Sequence, residues 1–535
     1  MSAAPNPRRD PRRDPHLDPH PDPHPDPDSH PDPRRWWTLA ALVASTLVIG
    51  FDTTILNIAL PTMASALHAD IGEQQWIVDS YTVVFAAAML PAGLLGDRFG
   101  RRRMLITGLL IFLAGALIGA LVSTPAPVIV ARLVMGLGAA LVMPLSMAVL
   151  PTFFGPGERS RAIAALSAAM GLGMPLGPLV GGWLLDHFWW GSIFLINLPL
   201  VAIAILACLF LLPETRDPAA PRIDLVSTAL SVGGLIALVW GLIEAPARGW
   251  THPLILTAFA ASVALLTGLT LRERQSVRPM LDLGLLFRPA FLWNAVAITL
   301  VGFSLLGLLF VLPQYLQAVL GNDAFGTGLR LLPMMAGLLL AARAATPLAA
   351  RFGPRPVISG GLLVSAAAAF LGSRTEVGDG YGMTAPWLTI TGLGFGLGVV
   401  PAMDAALGAL SRDREGTGSG LLMTLRQVGG TIGVALLGSL LADAYSTRLD
   451  TTGLPPAAAD AAEGSVVAAH AVAGRLGDPH LAASADAAFV HGMDVALLVT
   501  AFTSLAAAAL VAILLPRTVP ADQGAMVQET ADARQ

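Results

Sequence analysis

From Trp36 onward the chain alternates apolar stretches of about 18–25 residues with short breaks that carry Arg, Gly or Pro. A helix needs about 20 apolar residues to cross a hydrocarbon core roughly 30 Å thick, and in lipid a backbone is satisfied only in helices or closed barrels. The rhythm therefore predicts an all-α membrane protein. The stretches number fourteen, with cores near 37–59, 75–95, 104–122, 127–149, 162–184, 192–212, 225–244, 253–271, 291–317, 328–349, 356–373, 385–410, 419–442 and 492–515.

Composition excludes the soluble alternative. The 535 residues are 54% hydrophobic and only 13% charged, where soluble domains carry about 25% charge. The single cysteine, Cys208, lies in an apolar run, which rules out a disulfide framework, an all-cysteine zinc site and a CxxC redox pair. All 32 basic residues are arginine, so a Walker A loop, which needs lysine, is absent from this sequence. Neither cofactor nor metal is expected, and no feature points to nucleic acid.

Arginine placement orients the spans, because short cytoplasmic loops collect positive charge. With both termini inside, 24 arginines fall on the cytoplasmic side and four outside, Arg248, Arg374, Arg448 and Arg475. Arg132, Arg330, Arg343 and Arg426 fall within spans or at their edges. Trp36 and Trp37, following Arg34 and Arg35, suit the inner aromatic belt. Residues 1–35, Arg-Arg-Asp-Pro and then Asp-Pro/His-Pro repeats, lack the apolar core of a signal peptide and read as a disordered cytoplasmic tail. His16, His20, His24 and His30 have no fixed metal-binding geometry in such sequence. Residues 36–215 are expected to form a six-helix bundle, 216–275 two inserted helices (spans 7 and 8), and 276–516 a second six-helix bundle. That second bundle includes a partly helical external loop at 444–488, and 517–535 form a cytoplasmic tail.

Gly93-Leu-Leu-Gly-Asp97-Arg98-Phe-Gly100-Arg101 joins spans 2 and 3, where a tight turn draws on glycine freedom and Asp97 can pair with arginines. Ala350-Arg351-Phe352-Gly353 repeats the Arg-Phe-Gly core between spans 10 and 11. Such similarity between halves marks repeat-built transporters, and its placement implies two spans inserted between six-helix units.

These motifs resemble the major facilitator superfamily, and specifically its fourteen-span drug:proton antiporters. Further likenesses are Phe51-Asp52 through Asn57 to Pro61, Gln75-Trp76-Ile-Val-Asp79-Ser-Tyr81 and Arg132-Leu-Val-Met135-Gly136-Leu-Gly138. Gly173-Met-Pro-Leu-Gly177-Pro178-Leu-Val-Gly181, Leu312-Pro313-Gln314-Tyr315 and Arg426-Gln427-Val-Gly429-Gly430 add to them. The resemblance covers about residues 37–515. It departs from the family at Met135, where glutamine is frequent, and at Gly191, where arginine is usual.

Asp52 lies near the middle of span 1, where an ionised carboxylate costs about 2.5–3.5 kcal/mol on the insertion scale. It is either a proton carrier or a hydrogen-bonded structural group; the resemblance implies coupling or substrate recognition. Arg132 must find a carboxylate, carbonyls or a wet cavity, or else snorkel outward, and the resemblance implies a role in proton transfer. Asp79, Asp404 and Arg343 are intramembrane candidates on charge alone, Asp79 ranking ahead of Asp404. Glycines 173, 177 and 181 share a helix face that admits a close neighbour and Pro178 bends the helix, which fits a hinge or seal as well as plain packing. Conformational gating is expected of Gly93, Asp97, Arg98, Gly100, Arg101, Gly173, Gly177, Pro178, Gly181 and Arg426.

The expected protein is a monomeric secondary exporter of the bacterial inner membrane. It exchanges external protons for a hydrophobic, drug-like, antibiotic or cationic compound, driven by proton motive force. Proton-coupled uptake of a small nutrient, or a membrane-embedded enzyme or sensor, are the alternatives. The span 5 motif and span count weigh against the first, and the lack of loop chemistry against the second.

Overall fold

The computed structural model describes residues 35–154, 156–214, 224–276, 283–408 and 415–516; residues 1–34 and 517–535, read above as tails, lie outside these. Among the described residues there is helix and no strand. The first unit comprises α1 (Arg35–Leu67), α2 (Ile71–Phe99), α3 (Arg101–Leu121), α4 (Pro125–Phe153), α5 (Pro156–His187) and a broken span of α6 (Ser192–Leu195) and α7 (Asn197–Leu211). After α8 (Leu225–Arg248) and α9 (Pro253–Gln275) come α10 (Pro289–Gln314), α11 (Ala324–Phe352), α12 (Pro354–Gly372), α13 (Tyr381–Gly408) and α14 (Glu415–Arg448). Two short helices, α15 (Pro456–Gly464) and α16 (Val466–Leu476), precede α17 (Pro479–Leu514).

Twelve of the described helical segments are long and apolar enough to cross a membrane. The helices α2 and α5, 29 and 32 residues long, have the length as well but more polar sequences, and with them the count agrees with the fourteen expected. Local sequence sets the ends. Proline opens α4, α9, α10, α12, α15 and α17, where a missing N–H costs nothing. Asp70 and Glu73 form a reciprocal capping box on α2.

The two six-span units pack alike. In the first, α1 lies on α5, α2 on α4, and α3 on α4 and α7; in the second, α10 lies on α14, α11 on α13, and α12 on α13 and α17. The repeated Arg-Phe-Gly segments occupy matching corners. Gly100 (φ 105°) joins α2 to α3 and Gly353 (φ 85°) joins α11 to α12, a backbone region that an L side chain avoids. The halves meet along α2 with α14 and α5 with α11. The inserted α8 lies against both α2 and α14, with α9 outside it, so the insertion covers one of the two seams. At that seam Ser439 Oγ donates to Leu242 O at 2.6 Å. Leu242 O would otherwise face Pro246, which has no N–H to offer.

The outer surface is apolar where helices face away from the core, with Leu110, Leu117, Leu121, Ile203, Leu206, Phe210, Leu256 and Val263 exposed. Patches of that extent suit a lipid environment. The helices α1 and α17 are antiparallel in the span order, so the chain enters and leaves at one face, and α15 and α16 lie at the other. The stretch between α14 and α17 is thus partly helical.

Candidate functional site

Midway along α1, Asp52 is 2% exposed, as is Arg132 from the second turn of α4. Arg132 Nη1 donates to Asp52 Oδ2 at 2.7 Å, and Arg132 Nε donates to the carbonyl of Ile77 on α2 at 3.2 Å. The guanidinium lies over the Tyr81 ring, 4.2 Å from its centre, a cation–π arrangement available to a flat, delocalised cation. Ile77 and Tyr81 are four apart, so one face of α2 supplies both contacts. Asn197, the first residue of α7, donates from Nδ2 to Asp52 Oδ1 at 3.4 Å. Spans 1, 2, 4 and 6 thus converge on one ion pair. Of the alternatives open for Arg132, a carboxylate and a carbonyl are both realised, and snorkelling is not.

A narrow cleft adjoins the pair, lined among others by Thr53, Asn57, Tyr81, Thr82 and Arg132 of the first half. Leu306 of α10 and Val434 of α14 close it from the second. It has room for little more than a water molecule, so a drug-sized guest requires the halves to part. Two unpartnered polar atoms mark this region, Asn57 Oδ1 and Tyr81 Oη.

Asp79 is fully buried and bonds within its own helix. Its Oδ1 accepts from Thr82 Oγ1 at 3.3 Å, while Oδ2 has no partner. Asp404 is exposed on the membrane-length helix α13, four residues before its end, and takes no part in the cluster. Arg343, on α11, is exposed and is likewise outside it.

The span 5 glycines do share a face, and that face lies on α1 beside Asp52. A Cβ on Gly173 would fall 2.6 Å from Gly50 C, on Gly177 2.9 Å from Ile55 N, and on Gly181 2.5 Å from Ile55 Cγ1. Thr54 Oγ1 donates to Gly173 O at 3.2 Å. The opposite side of α5 meets the second half: Pro178 O backs onto Gly328 of α11, where a Cβ would come within 2.5 Å. The motif therefore couples the Asp52 helix to the other bundle.

The corner between α2 and α3 is described only in part, Gly93 and Asp97 lying outside the residues whose surroundings are described. Arg98 is exposed, over the Phe99 ring at 5.6 Å, and Arg101 is half-buried. The contacts seen there involve the next arginines. Arg102 Nη2 donates to Leu209 O at 2.6 Å, and Arg103 Nε lies 3.4 Å from Glu214 Oε2. The Glu214 carboxylate also occupies the space a Cβ on Gly100 would need. Arg426 is half-buried in α14, its backbone in close contact with Gly302 of α10.

Asn197, Tyr81 and Glu214 carry contacts that the motif reading assigned to none of them. A lone asparagine in an apolar run was the available signal for Asn197, and the spacing from Ile77 for Tyr81; Glu214 had none.

A family profile of the Major Facilitator Superfamily matches residues 42–434. A tetracenomycin C resistance and export protein of Streptomyces glaucescens is 33% identical over 489 residues, covering 89% of this chain and 91% of its own. A multidrug efflux pump of Mycolicibacterium smegmatis is 31% identical over 489 residues, covering 90% and 97%. In fold the chain is similar to a bacterial homologue of the human lysosomal transporter Spinster, solved inward-facing and unoccupied. That likeness has a TM-score of 0.66 at 17% identity, covering 92% of this chain and all of the other. With two like-packed six-helix units, a buried charged pair within the first and relatives of this kind over nearly its whole length, the chain belongs to the major facilitator superfamily and carries the motifs of its drug:proton antiporters.

Proposed function

We propose that this protein is a secondary exporter of a bacterial cell membrane that exchanges external protons for a hydrophobic, drug-like compound, with both termini in the cytoplasm. The observation that carries this is the Asp52–Arg132 pair, buried beside a cleft to which both halves contribute. Because one polypeptide supplies both walls, a monomer suffices. The relatives' printed roles in antibiotic resistance and multidrug efflux support an exported, lipophilic substrate.

The pair links proton binding to shape. Ionised Asp52 and Arg132 together are neutral, and removing either charge while the other stays buried costs about 3–5 kcal/mol. The paired state therefore belongs to a dry centre from which the proton has left, ready for substrate from the cytoplasm. Opening outward lets water reach the pair. Asp52 then takes a proton, Arg132 turns to water for its lost partner, and the loosened cleft releases its guest. Return to the inner side lets the proton go and the pair close again.

The halves are joined on the face carrying α15 and α16, which the arginine bias makes external. Gln317 Nε2 donates to Ile58 O at 2.9 Å, Phe325 N to Asp186 Oδ2 at 3.2 Å, and Gln75 Nε2 to Ala435 O at 3.1 Å. These contacts support an outward-closed conformation. One net charge carried through 100 mV supplies about 2.3 kcal/mol, nearly fifty-fold accumulation of a neutral substrate, with no nucleotide hydrolysis.

The test is ethidium transport in everted vesicles. The wild type should accumulate ethidium with coupled proton release, abolished by a protonophore, and Asp52→Asn should lose the coupled release. Protonophore-insensitive export overturns proton coupling, and full coupling in Asp52→Asn overturns the role of Asp52.

A further inference from the structure

The cap formed by α15 and α16 belongs to the second half by sequence, lying between α14 and α17, yet it also touches the first. Besides packing on α17, α16 packs on α1 and on the π-helical turn Tyr315–Val319 that extends α10. That turn carries Gln317, which donates to Ile58 O on α1. One helix of the cap therefore rests on both partners of an external joint between the halves. Where α15 gives way to α16, a Cβ on Gly464 would lie 3.7 Å from Asp70 Cβ, and Asp70 is the N-cap of α2 in the first half.

The sequence of α16 suits it to lie flat. Val466, Ala469 and Ala473 are three and four apart, hence on one face, and all are buried, as is Ala462 of α15. Ala471, Gly474 and Arg475 are exposed.

The two sides of the cap are held differently. On the side of the second half, Tyr445 Oη of α14 donates to Ala462 O at 2.9 Å, and His470 Nε2 lies 2.8 Å from Asp486 Oδ1 of α17. Among the described residues no hydrogen bond or ion pair ties α15 or α16 to the first half, where the contact is packing alone. Parting a packed surface strands no donor or acceptor. Lifting the cap from α14 would strand the Tyr445 hydroxyl, whose residue is fully buried, and a buried polar group left without its partner costs more than a made hydrogen bond contributes.

We propose that the α15–α16 cap is a strap across the outer mouth, anchored on the second half and lapped onto the first, which comes off the first half each time the outer ends part and then reseats. Its part in export rests on the exporter reading; its anchorage and the side on which it lets go do not.

The test is a disulfide across the lap, Asp70→Cys with Gly464→Cys. Bridged cysteines have Cβ atoms about 3.5–4.5 Å apart, which brackets the separation here, and Gly464 is not among the positive-φ glycines. Cys208 is fully buried, so only the two introduced thiols should react with copper–phenanthroline, and mass spectrometry of alkylated peptides should show them joined. In everted vesicles the oxidised pair should transport ethidium slower by about tenfold or more than the same sample reduced with dithiothreitol, since a gate that cannot open stops turnover. Asp70→Cys alone, which also loses the α2 cap, should be indifferent to oxidation. Spin labels on p-acetylphenylalanine at the outer ends of α1 and α11, read by double electron–electron resonance, should lose the longer distance on oxidation. Cysteines that do not join, or a joined pair whose distances are the same before and after reduction, overturn the strap. Because the distances are read without transport, their shortening in a protein whose wild type fails ethidium–proton exchange counts against the exporter reading alone.

Discussion

At the residue scale, the site depends on an arginine doing three things at once. Arg132 meets the Asp52 carboxylate, the Ile77 carbonyl and the Tyr81 ring, and a lysine has neither the fork nor the flat face to do so. Arg132→Lys should keep the charge and still lose most coupled ethidium export, with a lower unfolding temperature by differential scanning fluorimetry; unchanged export would show that charge alone matters. A separate residue pair governs the external cap. His470 Nε2 lies 2.8 Å from Asp486 Oδ1, and this hydrogen bond raises the His470 pKa above its ordinary value. A raised folded-state value means that the stabilisation is fully present below about pH 6.5 and is lost as pH rises through the folded value. With both side chains partly exposed it is worth at most about 1 kcal/mol. Amide exchange in 466–476 should therefore quicken as pH climbs past neutrality, beyond the intrinsic chemical rate, and His470→Asn should show no such step. The pairing of Asp52 with Arg132 was not legible, because 80 residues separate them and a span's rotation about its axis is set by its neighbours. That both were costly intramembrane charges, and so candidates, was legible.

At the scale of the element, the shared glycine face of span 5 was legible, though not the helix it meets. Glycines four apart define one helix face, and the structure presses that face onto α1. Gly177→Ala would bring Cβ within 2.9 Å of Ile55 N and closer still to Thr54, overpacking of a kind that costs about 1–3 kcal/mol. Export should fall accordingly. Gly360→Ala on α12 is the control, since nothing lies within 4 Å of its added Cβ. There the better helix propensity should leave stability unchanged or raise it by up to about 1 kcal/mol. Equal loss in both variants would mean that glycine flexibility, not close approach, is what α5 uses. By contrast, the insertion of α8 and α9 was legible only as two spans of suitable length. That α8 lodges between α2 and α14 depended on shape, and on a carbonyl left free by Pro246 that Ser439 of the other half satisfies.

For the whole molecule, the external joint between halves is thin enough to test by removing one contact. Gln317→Ala deletes the hydrogen bond to Ile58 O, worth about 1 kcal/mol net. That is a shift of about fivefold towards outward-open forms, since 1.4 kcal/mol is tenfold. Spin labels on the outer ends of α1 and α11, read by double electron–electron resonance, should show the longer distance gaining population. The only native cysteine, Cys208, is fully buried, so labels can be placed without competition. No gain would mean that this contact does not hold the outer face shut.

The sequence by itself determined the membrane-spanning helical class, the span count, the doubled unit and the glycine corners. Each of these follows from periodicity, length or backbone freedom, properties that a stretch of chain carries alone. Tertiary structure decided that Arg132 answers Asp52, that Asp79 bonds within its own helix, and that Asp404 stands exposed, outside the cluster. Those outcomes depend on how each helix is rotated and which helix faces it. The packing free energy of the whole assembly sets that choice, and no single segment encodes it.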